Sequence, residues 1–229
     1  MPAMAKPLRR DHGTRMLHVI GRSVHGDLLF PDDLDARRFW NELGRRSVEF
    51  EVELLAVCLL GNHYHLLLRG GPEAIALTMH RALSKLANTR NRVDGARRGA
   101  LVGRRYNVVA INDPVHARNA IRYVPMNPVL HKLSADPARW RWSTHGILVG
   151  RRRSPDWFDS DRALRAFGFA TAGEYERFVL AGSRLALPPR SDREARDHRI
   201  LAMADVGIPA DKIAGLVGLT DSRVRRIMK

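Results

Sequence analysis

The chain is 229 residues long, carries a net charge of +15 and has an isoelectric point near 11.2. Its single cysteine, Cys58, excludes an internal disulfide and any zinc site built from two cysteines. No apolar run reaches the roughly 18 to 20 residues that a membrane span needs, and the first residues lack the apolar core of a signal peptide. We therefore expect a soluble, cytoplasmic protein without a membrane partner.

The positive charge favours a polyanionic partner, nucleic acid above all, because neutralised phosphates release their counterions. Arginine outnumbers lysine by 34 to 5, and a planar guanidinium suits phosphates and guanine edges better than an ammonium does. Codon bias in a GC-rich genome would give the same ratio. It would not give the excess of positive over negative charge.

The first half of the chain alternates short strands with helices. Residues 16–26 form a predicted strand, and apolar residues at helical spacing predict a helix over Asp33–Ser47. The apolar run 52–60 is followed by Gly61-Asn62 and a second apolar run that starts at His63. This pattern predicts a hairpin, with glycine supplying the positive φ of a tight turn.

The next predicted elements are a long helix, a basic loop, a strand and a further helix. Steps of three and four between apolar residues predict a helix over Glu73–Asn91, residues 106–111 are a predicted strand, and Asp113 caps a helix that begins at Pro114. The order predicts an α+β fold with an antiparallel sheet and helices packed on one face. The loop between helix and strand is either a phosphate contact or simply solvated, and its candidate DNA-binding residues are Arg97, Arg98, Arg104 and Arg105.

Two composition changes suggest domain boundaries. Three consecutive arginines followed by Ser154-Pro155 suggest one boundary after residue 150, and the polar stretch 187–197 suggests another. We predict a first domain over residues 1–150, a helical or linker extension over 151–190 and a C-terminal unit over 191–229.

The His-Tyr-His triplet at 63–65 is the first candidate site. Side chains alternate between the faces of a strand, so His63 and His65 share one face and Tyr64 takes the other. Two imidazoles held in this way are able to bind one divalent ion. Two partly buried histidines satisfied by hydrogen bonds would explain the pattern equally well, so the site needs a third ligand and a chemical purpose.

A tyrosine in the next helix is the second candidate. The apolar stripe of this helix passes through Ala120, Ile121 and Val124, and at about 100° per residue Tyr123 falls outside it, on the polar side. Asn127 follows one turn later on that side and offers a carbonyl oxygen to an ion.

The C-terminal residues 210–229 have the spacing of a helix-turn-helix. Ala214 permits close packing, Gly218 makes the turn, and Val224 anchors a second helix capped by Thr220 or Asp221. A plain helical hairpin is the alternative. If the unit binds duplex DNA, the residues that face it are Ser222, Arg223, Arg225 and Arg226.

Four segments together resemble one known family. They are "LFPDDLDARRFWNEL", "LLAVCLLGNHYHLLL", "RYVPMNPV" and "WRWSTHGILVG", in this order, and the likeness spans about residues 15–150. The chain resembles the REP-associated tyrosine transposases, which belong to the HUH superfamily of single-tyrosine insertion-sequence transposases. The resemblance implies an HUH-type, ferredoxin-like fold.

The resemblance also implies a chemistry. His63 and His65 match the pair that binds Mg²⁺ or Mn²⁺, Tyr123 matches the nucleophile, and Asn127 stands where the family has a polar third ligand. The tyrosine would form a 5′-phosphotyrosine link to single-stranded hairpin DNA, the repetitive extragenic palindrome with its guide tetranucleotide. Relatives in the wider superfamily work as dimers, so a homodimer is a further expectation.

Three residues depart from the family pattern. Gly61 stands where an acidic residue or proline is usual, Tyr64 is bulkier than the common aliphatic residue, and Pro125 removes a helical N–H just after the nucleophile and predicts a kink. A decayed transposase that acts as a sequence-specific DNA-binding regulator, and a metal-dependent nuclease without a tyrosine intermediate, therefore remain alternatives.

Overall fold

The computed structural model describes residues 16–23, 28–93, 106–181, 200, 203–204 and 208–228. The first six elements alternate in the order strand, helix, strand, strand, helix, strand. They are β1 (Leu17–Arg22), α1 (Asp33–Glu49), β2 (Glu53–Leu60), β3 (His63–Arg69), α2 (Pro72–Val93) and β4 (Asn107–Ala110). Helical elements follow: α3 (Pro114–Leu130), a 3-10 turn (Pro137–Arg139), α4 (His145–Leu148), α5 (Ser160–Phe167), α6 (Ala172–Ala181), α7 (Ala210–Val217) and α8 (Asp221–Ile227).

The four strands form one antiparallel sheet in the order β2-β3-β1-β4. The two central strands, β1 and β3, pair with Ile20 opposite His65 and Arg22 opposite His63. Every strand of this order runs antiparallel to its neighbours, which is the ferredoxin-like arrangement. The predicted α+β class and antiparallel sheet are confirmed.

The predicted hairpin is present, but the expected backbone geometry of its turn is wrong. Leu60 pairs with His63 across a two-residue turn, yet Gly61 does not have a positive φ. The turn is held from outside instead, because the Ser23 N–H donates to the Asn62 carbonyl at 2.9 Å and the Phe30 N–H donates to the Gly61 carbonyl at 3.0 Å. The hairpin end that carries His63 is therefore fixed by two neighbouring segments.

Helices cover both faces of the sheet. On one face the ring of Phe39, from α1, lies 5.4 Å from the ring of Tyr64, measured between centroids, and α2 packs beside α1. The two helices of the ferredoxin-like repeat therefore share a face, but the prediction that the helices pack on one face does not hold for α3. On the other face α3 contacts β2 and β3 and brings Tyr123 towards the histidines.

Capping residues explain where two of these helices begin. The carboxylate of Asp32 accepts from the Asp35 N–H at 2.9 Å at the start of α1, and Asp113 accepts from the His116 N–H at 2.8 Å at the start of α3, as predicted. Helix α1 ends at Glu49, two residues beyond the predicted end at Ser47. Helix α3 continues through Pro125 and Pro128 to Leu130 without interruption.

The segment after residue 150 shares the core of the sheet. Phe158, Phe167 and Tyr175 are buried in the same apolar cluster as the strand residues, and the Arg122 guanidinium donates to the carbonyl of Phe178 at 3.2 Å. Residues 151–181 are thus packed against β2 and α3.

The C-terminal helices α7 and α8 build a second, smaller apolar cluster around Ile213 and Val224. Gly218 joins them in the left-handed conformation, with φ 67°. Thr220 is the N-cap residue of α8, but its side chain makes no capping hydrogen bond. The cluster packs against Ile20 and Val109, so the C-terminal unit lies on the histidine face of the sheet.

Among the described residues, no helix combines the length and the hydropathy needed to cross a membrane.

Candidate functional site

His63 and His65 lie on one face of β3, as strand alternation predicts. Their ring centroids are 5.2 Å apart. His65 is buried, with 4% of its surface exposed, whereas His63 at the strand end is half-buried. The His63 Nδ1 donates to the Oδ1 of Asn62 at 2.7 Å, because an amide oxygen only accepts. A neutral His63 then carries its lone pair on Nε2.

A third histidine, His18 of β1, joins the pair across the sheet. Its Nε2 lies 3.0 Å from the Nδ1 of His65, and both rings are buried. If His65 donates in this hydrogen bond, its own Nε2 carries the lone pair. That Nε2 is buried without a hydrogen-bond partner among the described residues. A hydrogen bond donated by the second ring nitrogen orients metal-binding histidines in proteins.

A fourth histidine, His131, follows the end of α3. Its ring centroid lies 4.9 Å from that of His63. Sequence reasoning missed both His18 and His131. Strand alternation puts His18 on one face of β1 with Ile20 and Arg22, but it does not show that this face meets His65. Finding His131 required knowledge of where the end of α3 meets the hairpin.

Tyr123 reaches this cluster from α3. Its ring centroid lies 5.3 Å from that of His65, edge to face, and 6.2 Å from that of His18. The prediction placed Tyr123 on a polar side of α3. That side is not exposed to solvent, because His116 and Asn127 on it are both buried. The side faces the sheet and the neighbouring helices, and Tyr123 on it meets the histidines of β1 and β3.

Asn127 does not extend into the cluster. Its side-chain amide turns back onto its own helix, where Nδ2 donates to the carbonyl of Tyr123 at 2.8 Å and lies 3.5 Å from the carbonyl of Val124. The Val124 carbonyl would normally accept from residue 128, but that residue is Pro128 and has no N–H. The Asn127 amide therefore supports α3 next to the tyrosine, and its Oδ1 is buried without a partner among the described residues.

Burial keeps the central histidines neutral. It lowers the pKa of His18 to about 3, with a smaller contribution from the charge of His116. Burial also lowers the pKa of His65 well below the ordinary value, assisted by His63, His18 and His131. Neutral imidazoles retain the lone pairs that metal coordination requires.

These residues fit a divalent ion only in part. His65 supplies a buried nitrogen without a partner among the described residues, and the hydrogen bond that His63 Nδ1 donates to Asn62 leaves the lone pair of His63 on Nε2. No group of three or more His, Cys, Asp or Glu side chains within the described ranges is arranged to hold a metal ion. Two histidine ligands would leave coordination positions for oxygen ligands, such as those of a phosphate or water.

The histidines and the tyrosine line one cavity of about 60 Å³. Its other wall comes from the C-terminal unit, through Ile208, Leu216 and Val217. Arg22 bridges the two walls, since its Nη1 lies 3.5 Å from the carbonyl of Leu216. The cavity has room for an ion and a water molecule or two, because a water occupies about 30 Å³. It does not have room for a nucleotide.

The predicted DNA-binding arginines divide into two groups. Arg97, Arg98, Arg104 and Arg105 lie outside the described residues. Arg223, Arg225 and Arg226 are exposed on α8, where the Arg225 guanidinium donates to the carboxylate of Asp221 at 2.8 Å. Arg223 and Arg226 are the two better placed to contact a phosphate.

The comparison with solved structures found chains of similar fold. No protein-family model matches the chain, and no curated protein matches it. Among solved structures, the chain is similar to a REP-associated tyrosine transposase bound to a REP hairpin. The sequence identity is 18%, the TM-score is 0.46, and the match covers 68% of this chain and 94% of that one.

Proposed function

We propose that the protein is a metal-dependent endonuclease and strand transferase that acts on single-stranded DNA, with Tyr123 as its nucleophile. One observation carries the proposal: the Tyr123 ring lies 5.3 Å from the ring of His65, in the cavity that His63 also lines. These residues come from β3 and α3, about 60 positions apart in the sequence. A phenol beside two imidazoles that would hold a metal ion suits metal-assisted phosphoryl transfer to tyrosine.

The reaction conserves the number of phosphoester bonds. The Tyr123 hydroxyl oxygen attacks a DNA phosphorus, an O–P bond to tyrosine forms, and the bond from phosphorus to the 3′ oxygen breaks. The departing 3′ oxygen takes up a proton and the tyrosine hydroxyl loses one. Attack by a 3′-hydroxyl on the phosphotyrosine reverses these changes and joins a strand. Tyrosine, with a reference pKa of about 10, is a good leaving group in this second step.

His63 and His65 would hold the ion, Mg²⁺ or Mn²⁺. When bound, the ion neutralises the phosphate oxygens as charge develops on them. His18 orients His65 through their hydrogen bond. Asn127 remains the proposed third ligand from the sequence motif, but its amide would have to turn away from the carbonyl of Tyr123 to reach an ion.

The proposed substrate is a hairpin of single-stranded DNA. The net charge of +15 suits a polyanion, and a flexible single strand is able to bend into a narrow site. The palindromic hairpin as natural substrate, and duplex contact through Arg223 and Arg226, are proposals that rest on the sequence motifs.

Trapping the covalent adduct tests this function. A labelled hairpin oligonucleotide incubated with the protein and Mn²⁺ should give a protein–DNA adduct that resists denaturation. Tyr123→Phe should abolish the adduct, and so should a chelator, whereas the matched control Tyr106→Phe should retain it. An adduct that persists in Tyr123→Phe would contradict the assignment.

A second experiment addresses the expected homodimer. Tyr123→Phe subunits should be mixed with His63→Ala subunits, both inactive alone. Recovery of the adduct would show that one subunit's tyrosine serves its partner's histidines. No recovery is expected if each subunit uses its own tyrosine, which is the arrangement seen within this single chain.

A sequence-specific DNA-binding regulator is the second candidate, and one observation favours it. Leu216 and Val217 line the cavity, which is too small for a nucleotide, so strand transfer requires α7 to move away from the histidines. Tight, metal-independent binding to duplex DNA with no adduct would support the function of a DNA-binding regulator. Cleavage that Tyr123→Phe retains would instead indicate a nuclease without a tyrosine intermediate.

A further inference from the structure

A second recess, chemically different from the histidine site, lies on the α1 side of the sheet. It is an open cleft of about 550 Å³. Three of the chain's four tryptophans line it, one from α1 and two from the segments before α4 and α5. These residues are Trp40, Trp142 and Trp157.

The three indole rings form one fixed aromatic surface. The ring centroid of Trp40 lies 5.2 Å from that of Trp157 and 6.2 Å from that of Trp142. The Trp142 indole N–H donates to Asp33 at 2.8 Å. The Trp157 ring occupies the space where a side chain at Gly44 would begin, since a Cβ there would lie 2.3 Å from the indole. Trp142 and Trp157 nevertheless remain half-exposed.

The cleft is positively charged. Four arginines line it, against the single carboxylate of Asp156. Two of the four have structural roles: Arg141 donates to Asp33 at 2.6 Å, and Arg152 donates to backbone carbonyls of the segment before α4. The other two, Arg37 and Arg153, are exposed and form no ion pair with any residue in the described part of the chain.

The cleft adjoins the hairpin that carries the metal-binding candidates. The Leu59 N–H donates to the carbonyl of Trp142 at 2.8 Å, and the next residue, Leu60, pairs with His63. Two strand spacings, about 10 Å, therefore separate the backbone of Trp142 from that of His63. The side chains lie on opposite sides of the sheet, so a ligand common to both would pass around the β2 edge.

We infer that the cleft binds an unpaired nucleotide of single-stranded DNA, with the base against the indole rings and a phosphate against Arg37 and Arg153. Aromatic side chains beside unpaired cations are the combination by which proteins bind single strands, because every base has a face that stacks. A duplex hides its base faces and would use the arginines alone. The choice of DNA as the nucleic acid rests on the proposed function, whereas the binding chemistry does not.

Intrinsic tryptophan fluorescence measures this binding directly. Tetrathymidylate titrated into the full chain at about 150 mM salt, without divalent metal, should quench the fluorescence. A tetramer with the same backbone and abasic sugars should bind at least about tenfold more weakly, because stacking is lost. Arg37→Gln combined with Arg153→Gln should weaken tetrathymidylate binding by a similar factor.

A control variant that loses the same charge distinguishes binding at the cleft from general electrostatic attraction of DNA to the protein. Arg139→Gln with Arg165→Gln removes two exposed arginines that do not line the cleft, and binding should change less than about twofold. Equal binding of the abasic tetramer, or equal loss in both double variants, would overturn the inference.

The outcome is independent of catalysis. The titration should give the same quenching with Tyr123→Phe, so absence of strand transfer would leave the inference standing. Absence of quenching would refute the cleft as a nucleotide site and leave the adduct experiment unaffected. Trp157→Leu, if it folds, should remove most of the quenching.

Discussion

The two faces of the central sheet are both buried, yet they have opposite chemical character. On the α1 face, Leu66 and Leu68 of β3 and Val19 of β1 enter the main apolar core. On the other face the same two strands present His18 and His65, which are as fully buried. Alternation along β1 and β3 thus gives one pair of strands two tasks: stability on one face and polar chemistry on the other.

The histidine face is the more costly one to fold. His18 Nδ1 and His65 Nε2 are buried without hydrogen-bond partners among the described residues, and each such atom costs about 1 to 3 kcal/mol. The α1 face has its own exception, the Tyr64 hydroxyl, which is also buried without a described partner. Folding tolerates one such nitrogen on each of two hydrogen-bonded histidines on the face that Tyr123 approaches, as expected for a site shaped by function.

Removing a ligand from the histidine face should give the largest effect. His65→Ala should lower the rate of Mn²⁺-dependent adduct formation by at least about 10³-fold, because the ion stabilises developing phosphate charge by several kcal/mol. The measurement is a single-turnover time course. The matched control is the neighbour on the opposite face, Tyr64→Phe, which should keep the rate within about threefold. Equal losses of rate in both variants would show that the two faces do not differ in their contribution to catalysis.

Truncation on the α1 face should affect stability instead. Leu66 is fully buried, so Leu66→Ala should lower the free energy of unfolding by about 2 to 5 kcal/mol. Denaturant titration measures this loss. The folded fraction should bind Mn²⁺ with unchanged affinity, and a large drop in that affinity would show that the two faces are not separable.

A smaller effect is expected from the residue that orients a ligand. His18→Ala removes the partner of His65 Nδ1 and should weaken Mn²⁺ binding by about 10- to 100-fold. His18→Gln keeps an acceptor on that strand and should recover part of the affinity. Calorimetry with Mn²⁺ distinguishes these outcomes. Undiminished Mn²⁺ affinity in His18→Ala would show that His18 only packs in the site and does not orient a ligand.

The last effect concerns pH and is the smallest when expressed per histidine and per pH unit. Burial lowers the pKa of His18 to about 3 and the pKa of His65 well below the ordinary value near 6.5. The unfolded chain therefore takes up protons first as the pH falls below about 6.5, which lowers the free energy of unfolding by at most about 1.4 kcal/mol per pH unit for each histidine. The loss continues towards pH 3, where folded His18 begins to titrate.

Denaturant titrations of the metal-free protein between pH 7 and pH 4 measure this dependence. His18→Gln should show a shallower loss than the parent chain. His80→Gln, which replaces an exposed histidine of α2, is the matched substitution for comparison. An unchanged slope in His18→Gln would contradict a neutral, buried His18.

Local sequence patterns predicted most of the helices and strands. Within the site they predicted Tyr123 and two of the four histidines. Alternation placed His63 and His65 on one face, and the capping residue Asp113 placed the start of α3. The physical rules involved act over a few residues, so sequence alone was sufficient. Pro125 and Pro128 do not end α3, which continues to Leu130. The Nδ2 of Asn127 lies 3.5 Å from the Val124 carbonyl, which lost its helical donor at Pro128.

The rest of the site depends on long-range packing. His18 meets His65 only because β1 lies between β3 and β4, and His131 meets His63 only because α3 runs back to the hairpin end. The covering of the cavity by Leu216 depends on where a second apolar cluster docks. None of these contacts has a signature in the local sequence. The aromatic cleft likewise combines α1 with segments more than 100 residues later.

The most direct test of the account locates the covalent bond. The adduct formed with Mn²⁺ and a hairpin oligonucleotide is digested with protease and nuclease, and the modified peptide is sequenced by mass spectrometry. The account predicts a nucleotide linked through its 5′ phosphate to Tyr123 and to no other residue. A nucleotide attached elsewhere, or DNA cleaved without any attached peptide, would contradict it.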